Sequence, residues 1–289
     1  MVSYNPKHWF TLIFHKYSRE IFKKLMPAVI SMAIITTALA YIIVDYFKWD
    51  FQGTTAIHSI LGIVLGLFLV FRTNSAYDRW WEGRQAWGDL VNNSRNLAMK
   101  LNSMLPRSSP DRRFFAYALP GYAFVLRDYL RGLDVESTLV ELRTHLTVPD
   151  MDHKPNSVAT ALWLKVEELK KEGIIDGDQY RVLDEELRSF TDILGISERI
   201  KNSPIPYSYS MYIKKFIFTF IITLPFAFIT DFHYFTVPIV VMILYILLSV
   251  ELIAEEIEDP FGGDVNDLPL TALSEKIEHD CREILLEDS

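Results

Sequence analysis

Apolar runs, separated by clusters of charged residues, lie in the first and last thirds of this chain. The run over residues 57–71 reads IHSILGIVLGLFLVF and stops at Arg72. Folded as a helix, with about 100° between successive residues, it has two unlike faces. Gly62 and Gly66 lie on one side, where neighbouring backbones approach closely. The other side is an apolar arc formed by Ile60, Ile63, Val64, Leu67 and Phe71.

Two interpretations of this helix remain open at this point. Copies of it arranged around an axis would make a narrow, dry constriction lined by the apolar arc. A single copy is an ordinary membrane helix that packs through a Gly-x-x-x-Gly face.

Three further runs are candidates to cross a bilayer core, which is about 30 Å thick and takes roughly 20 apolar residues. They cover residues 25–47, 216–229 (with 211–213 before them) and 235–254. Half of the chain is hydrophobic, yet 23% of its residues are charged. This mixture predicts a membrane protein with four transmembrane helices and a substantial water-exposed region.

Lys and Arg residues flank the apolar runs asymmetrically. Several precede the first run and follow the second, whereas the turn at residues 231–234 has none. Because positive residues favour the cytoplasmic side, both termini and the long middle region are predicted to be cytoplasmic.

The pattern outside the apolar runs is helical, without strand alternation. Helices are predicted at residues 112–130, 135–146, 157–171 and 179–194, separated by proline and glycine breaks. The fold class is therefore all-α. The predicted organisation is an amphipathic N-terminal helix (1–24), transmembrane helices 1–2 (25–72), a cytosolic helical region (73–207), transmembrane helices 3–4 (208–254) and an acidic tail (255–289).

Charge and cysteine content narrow the partners. Residues 251–289 contain thirteen acidic and two basic residues, a charge of −11. The whole chain carries −8, and the remainder therefore +3. An acidic balance of this kind argues against nucleic acid as a partner. Cys281 is the single cysteine, so an intrachain disulfide is excluded.

Two motifs carry a resemblance to a known family. The first is Asp78-Arg79-Trp80-Trp81-Glu82, shortly after the second apolar run, and the second is EEIEDPFGGDVND at residues 255–267. With four apolar segments and a long middle region, the chain resembles a bestrophin of the bacterial branch. The resemblance implies a homopentameric ion channel in a bacterial inner membrane, multi-pass, whose partners are its own copies, the lipid bilayer and the permeating ions.

The resemblance also implies the position of a hydrophobic neck. Aligned without gaps from Arg79-Trp80-Trp81, the three neck positions of the family fall on Ile63, Leu67 and Phe71. These residues belong to the apolar arc described above. A shift of one turn gives the alternative set Ile60, Val64 and Phe68.

A second constriction of the family is expected further into the cytosol, near residues 173–182. Ile175 and Asp178 are the candidates for this cytosolic aperture. An aspartate repeated around an axis would favour cations. The acidic tail acts in the same direction, and the bacterial branch is associated with monovalent cations, so a sodium-passing channel is expected.

The family resemblance raises the question of a divalent site, although no cofactor is expected to be required. Animal bestrophins bind Ca²⁺ beside a Pro-Phe-Gly motif, and the matching positions are Glu256, Asp259, Asp264 and Asp267. Oxygen ligands at close spacing suit Ca²⁺ or another divalent cation. This sequence departs from the animal pattern, with acids in place of the first two amides. The alternative is an acidic turn whose carboxylates cap backbone amides.

Three other functions compete with a cation channel. They are an anion (chloride) channel of the same architecture, a membrane-anchored metal-dependent enzyme, and a membrane-anchored scaffold. The chain has no His-x-x-x-His, Ser-His-Asp set or phosphate-binding loop, so it is predicted not to be an enzyme.

Overall fold

The computed structural model describes residues 16–49 and 55–286, with side chains from Arg19 onward. Over these residues the chain is helical without strands, as predicted. Of the predicted amphipathic helix, residues 1–15 lie outside the described residues. The helices are α1 (Lys16–Ala40, followed by a π-helical turn at Tyr41–Tyr46), α2 (Thr55–Met104), α3 (Asp111–Arg131), α4 (Val135–Arg143), α5 (Lys154–Lys171), α6 (Gly177–Asn202), α7 (Tyr207–Thr223), α8 (Pro225–Phe232), α9 (Thr236–Glu258) and α10 (Leu270–Leu286).

The chain divides into two compact units. Only residues 16–49 and 55–286 of these units are described. The apolar unit comprises Val2–Asp78 and Pro204–Glu258, and the polar unit comprises Arg79–Ser203 and Asp259–Ser289. Helix α2 begins in the apolar unit and ends in the polar unit.

The apolar unit contains the candidate membrane segments. Three stretches are long and apolar enough to cross a bilayer: Arg19–Tyr46, Thr55–Met104 and Tyr207–Glu258. The last stretch is a hairpin, because Lys214 near the start of α7 forms an ion pair with Glu255 near the end of α9. Its two arms contain the predicted third and fourth apolar segments.

One face of α2 packs against the hairpin in this unit. Leu65 and Leu69 are buried in a cluster with Ile217, Phe220 and Leu244. The packing of α2 against α7 is close, since a Cβ atom on Gly62 would lie 3.5 Å from the Phe220 ring. This contact agrees with the small-residue face expected from the sequence.

The polar unit is built around a hydrophobic core of the kind found in soluble helical proteins. The four predicted helices are confirmed as α3 to α6, with shifted ends. Helix α4 ends at Arg143 rather than 146, and α6 extends to Asn202 because a glycine at 195 does not stop it. Asp176 begins α6 with a capping box, since its carboxylate accepts from the Gln179 backbone and the Gln179 side chain returns a bond.

Candidate functional site

The predicted neck residues lie on the exposed face of α2. The exposed fractions are 74% for Ile63, 55% for Leu67 and 53% for Phe71 within this single chain. Such large apolar side chains need lipid or another copy of the chain to cover them.

The alternative set is less uniformly exposed. Ile60 is 64% and Val64 38% exposed. Phe68 instead packs inside the subunit, with ring centroids 5.9 Å from Tyr212 and 6.2 Å from Phe216. Phe68 is therefore engaged by α7 and does not belong to the exposed arc.

The opposite side of α2 is occupied by contacts within the chain. His58 is buried, and its Nε2 lies 3.0 Å from the Thr223 hydroxyl on α7. The Thr223 hydroxyl itself donates to the carbonyl of Thr219, so it accepts from the His58 ring. His58 thus connects α2 to α7 rather than facing the exposed arc.

The predicted cytosolic aperture is only half supported by side-chain positions. Asp178 is exposed in the first turn of α6, as an aperture residue would be. The structure corrects the prediction for Ile175, whose side chain is 2% exposed and packed in the core of the polar unit. The sequence placed two isoleucines together in this turn and did not indicate that the second points inward.

The two motifs that carried the resemblance meet in the polar unit. The indole N–H of Trp80 donates to the carbonyl of Asn266 at 2.9 Å. A Cβ atom on Gly83 would lie 3.2 Å from both Pro260 and the Phe261 ring, so glycine permits this close approach. Phe261 is fully buried there. The motifs therefore form one packing interface around the Pro-Phe-Gly segment.

Arg79, from the same motif, has a structural role that the sequence did not indicate. Its guanidinium donates to the carbonyl oxygens of Ile200 and Ser203, at the end of α6. A cation at a helix C-terminus satisfies carbonyls that lack helical partners. Glu82 and Arg199 form an adjacent ion pair between α2 and α6.

The acidic residues of the Pro-Phe-Gly segment are used as backbone caps. The Asp267 carboxylate is buried and accepts the backbone N–H of Asp264 at 2.5 Å. Asp259 accepts the N–H of Phe261. A Cβ atom on Gly262 would lie 2.8 Å from the Asp267 carboxylate, so this turn requires glycine.

The predicted divalent site stays a prediction beside this capping role. Glu256 lies at the end of α9. Across the part of the chain that the structure describes, the acidic or histidine side chains close enough for a shared ion are His279, Asp280 and Glu283, on the surface of α10. Asp259 and Asp267 each accept a backbone N–H, as the capping interpretation expects.

A buried charge cluster, not foreseen from the sequence, lies next to the candidate neck. Arg72 directly follows Phe71, and its side chain is 1% exposed. Its Nη2 donates to Glu258 at 2.6 Å, and its Nε lies 3.8 Å from Glu251. The backbone N–H of Ile205 donates to the other oxygen of Glu258 at 2.8 Å. The sequence signal was only a lone arginine at the end of an apolar run.

Comparisons with known proteins identify the family of the chain. The family described as "Bacterial/Fungal Bestrophin protein" matches residues 1–283. A "Voltage-dependent anion channel-forming protein YneE" from Escherichia coli (strain K12) is 32% identical, over 97% of this chain and 92% of the relative. A "Voltage-dependent anion channel-forming protein" from Nostoc sp. is 33% identical, over 92% of this chain and 88% of the relative.

Solved structures give the same result. A crystal structure of a mutant bacterial bestrophin homolog from Klebsiella pneumoniae has a TM-score of 0.81 and 28% identity. That match covers 91% of this chain and 99% of the Klebsiella chain. The chain belongs to the bacterial and fungal bestrophin family of membrane ion channels, which are not enzymes and need no cofactor.

Proposed function

We propose that this chain forms a homopentameric, anion-conducting pore in a bacterial inner membrane, with both termini cytoplasmic. The observation that carries the proposal is the exposed arc Ile63, Leu67 and Phe71 on a helix whose other face is packed within the subunit. Closed rotational symmetry would repeat each of these residues around one axis. The proposal keeps the boundaries of the membrane and cytosolic regions that the sequence predicts.

The neck controls conduction by wetting and drying in this proposal. Rings of isoleucine, leucine and phenylalanine offer an ion no hydrogen bonds and no charge. The barrier depends on the width and dryness of the neck, so it acts on cations and anions alike. Charged residues elsewhere on the path set the sign of the permeating ion, and they outweigh any ring of Asp178, whose carboxylates would favour cations.

The expectation of cations is not supported and is replaced here. The relatives from E. coli and Nostoc are named anion channel-forming proteins, which favours anions for this chain. The earlier expectation depended in part on the −11 charge of residues 251–289. Three bases from outside the tail pair with acids in it, Arg72 with Glu258, Lys214 with Glu255 and Arg95 with Asp280, and they reduce the charge from −11 to −8. The formal charge of the tail therefore overstates the potential that an ion would meet.

Reconstitution separates the proposal from its rivals. Liposomes that contain only this protein should pass ions, and the reversal potential in a NaCl gradient should follow chloride. A reversal potential that follows sodium would overturn the anion assignment. Absence of flux from well-folded, correctly inserted protein would favour a scaffold.

The oligomeric state has its own measurement. End-on electron-microscope class averages of the detergent-purified protein should show fivefold symmetry. Dimers or tetramers would overturn the pentamer while leaving the family assignment intact.

A further inference from the structure

Arg72 is a buried cation in a helix face that otherwise contacts apolar side chains. Taking a charged group out of water is costly unless it is paired and hydrogen-bonded. The guanidinium is 1% exposed, and it is paired with Glu258 at 2.6 Å. Because this ion pair is buried, it restrains the rotation of α2 about its axis and its position along that axis.

The partner of Arg72 is itself anchored. One oxygen of Glu258 accepts from Arg72, and the other accepts the backbone N–H of Ile205 at 2.8 Å. The cluster therefore joins three parts of the apolar unit: α2, the last residue of α9, and the segment that enters α7. The end of α9 is thereby bonded to the turn of α2 that contains Phe71.

The cluster holds two carboxylates and one guanidinium. Glu251 lies two turns before Glu258 on the same face of α9, because seven residues span about two helical turns. Its nearest atom is 3.8 Å from Arg72 Nε, and neither of its oxygens has a hydrogen-bond partner among the described residues. The same residues offer no hydrogen bond to the Nε and Nη1 atoms of Arg72. Arg72 thus has a second acceptor within reach if the contact with Glu258 is lost.

We propose that Arg72 is a positioning residue for the neck, and that its bond to Glu258 couples the end of α9 to the orientation of Phe71. The bond controls how often the neck opens, while the ion that passes is chosen elsewhere. This inference rests on the proposed function, because it assigns a control to the neck. It differs from that proposal by naming a contact within one subunit that sets the neck geometry.

The chain offers a closely matched control. Glu255 lies on α9 one turn before Glu258 and pairs with Lys214 on α7. The side chains of Lys214 and Glu255 are 45% and 40% exposed, whereas those of Arg72 and Glu258 are 1% and 17% exposed. Exposed ion pairs contribute little, so Glu255→Gln should change little.

Single-channel recording of five proteins tests the inference: wild type, the control Glu255→Gln, Glu258→Gln, Arg72→Met and Arg72→Met/Glu258→Gln. Glu258→Gln should change the ratio of open to closed time by about tenfold, equivalent to about 1.4 kcal/mol. Its reversal potential should stay at the wild-type value. The double variant should change less than the sum of the two single changes, because coupled residues are not additive.

A second measurement does not require conduction. Leu67→Cys is introduced into the wild-type, Glu258→Gln and Glu255→Gln backgrounds, and modification by a water-soluble thiol reagent is timed. The native Cys281 is fully buried and contributes no background. The rate at position 67 should change several-fold in Glu258→Gln and stay constant in Glu255→Gln.

The outcomes separate the two proposals. If wild-type liposomes carry no current, the channel proposal fails, and the thiol rates alone decide whether Arg72 positions this turn of α2. The inference is overturned if Glu258→Gln matches Glu255→Gln in both measurements. It is also overturned if Glu258→Gln lowers thermal stability while open times and thiol rates stay unchanged, because Arg72 would then support only the fold.

Discussion

The two ends of α2 place the same kinds of residue in opposite environments. In the apolar unit the helix exposes Ile63, Leu67 and Phe71, whereas in the polar unit it buries Trp87 and Leu101 completely. Where the subunit faces water, burial of apolar side chains stabilises the fold. Between helices in a bilayer that driving force is absent, so close packing and polar bonds hold the helices together.

Both units bury charged side chains, Arg72 in the apolar unit and Arg112 and Asp128 in the polar unit, but the two halves of α2 are held differently. The hydrophobic effect fixes the second half of α2 against its core. The first half is held by the close packing around Gly62, by His58 and by Arg72. The comparison predicts that equal substitutions at the two ends of α2 have unequal consequences.

The largest effect is expected for Leu101→Ala. Leu101 is fully buried in the polar unit, and removing a buried leucine side chain costs about 2–5 kcal/mol. Leu67→Ala, on the same helix, should leave the free energy of unfolding almost unchanged because Leu67 is exposed in the subunit. Thermal unfolding of both variants in detergent measures the difference. Equal losses of unfolding free energy at positions 67 and 101 would show that the two halves of α2 are not held differently.

A glycine pair gives the next largest effect. A Cβ atom on Gly121 in α3 would lie 2.6 Å from Leu142, and overpacking of this kind costs about 1–3 kcal/mol. Apart from the adjacent residues and the nearby backbone of α2, no described atom lies within 4 Å of the corresponding Cβ position on Gly66. Gly121→Ala should therefore unfold at lower temperature, while Gly66→Ala should match wild type. Loss of the oligomer in Gly66→Ala would place that glycine at a contact between copies.

Conduction should respond in the opposite order to stability. Phe71→Ala or Leu67→Ala widens the proposed neck, so the open probability should rise several-fold with no change in reversal potential. Leu101→Ala, to the extent that it folds, should keep the wild-type open probability per active channel. Bilayer recordings of the purified variants provide the measurement. Unchanged currents in both variants would contradict the proposal that α2 forms the neck.

Local signals explain how much of the fold could be predicted. Proline, glycine and capping residues mark helix ends within a few residues, as Asp176 and Gln179 do for α6. The apolar arc of α2 follows from helical periodicity, and the exposure of its residues agrees with that pattern, whereas the neck is what the family resemblance implies. Pairings across the chain could not be predicted in this way, because Arg72 and Glu258 are 186 residues apart.

The sequence leaves the candidate site open where a residue type has two uses. The carboxylate of Asp267 suits a metal ion or a backbone cap, and only the folded turn shows that it accepts the Asp264 N–H. Ile174 and Ile175 are chemically identical, and packing decides that Ile175 enters the core.

The smallest effect concerns the native thiol. Its reactivity is compared with that of a thiol placed at position 67 in the apolar unit. Cys281 is buried in the polar unit, and burial raises the pKa of its thiol to about 12. At a pH of about 8 the reactive thiolate is therefore scarce, so folded wild-type protein should not react with iodoacetamide. Leu67→Cys should react at the new position alone, because that position lies in the proposed pore, which the reagent enters when the neck is wetted. Mass spectrometry of tryptic peptides locates the label, and denaturant provides the control by making Cys281 reactive. Labelling of Cys281 in the folded protein under these conditions would mean that the polar unit opens around α10, and that its core is less closed than the comparison requires.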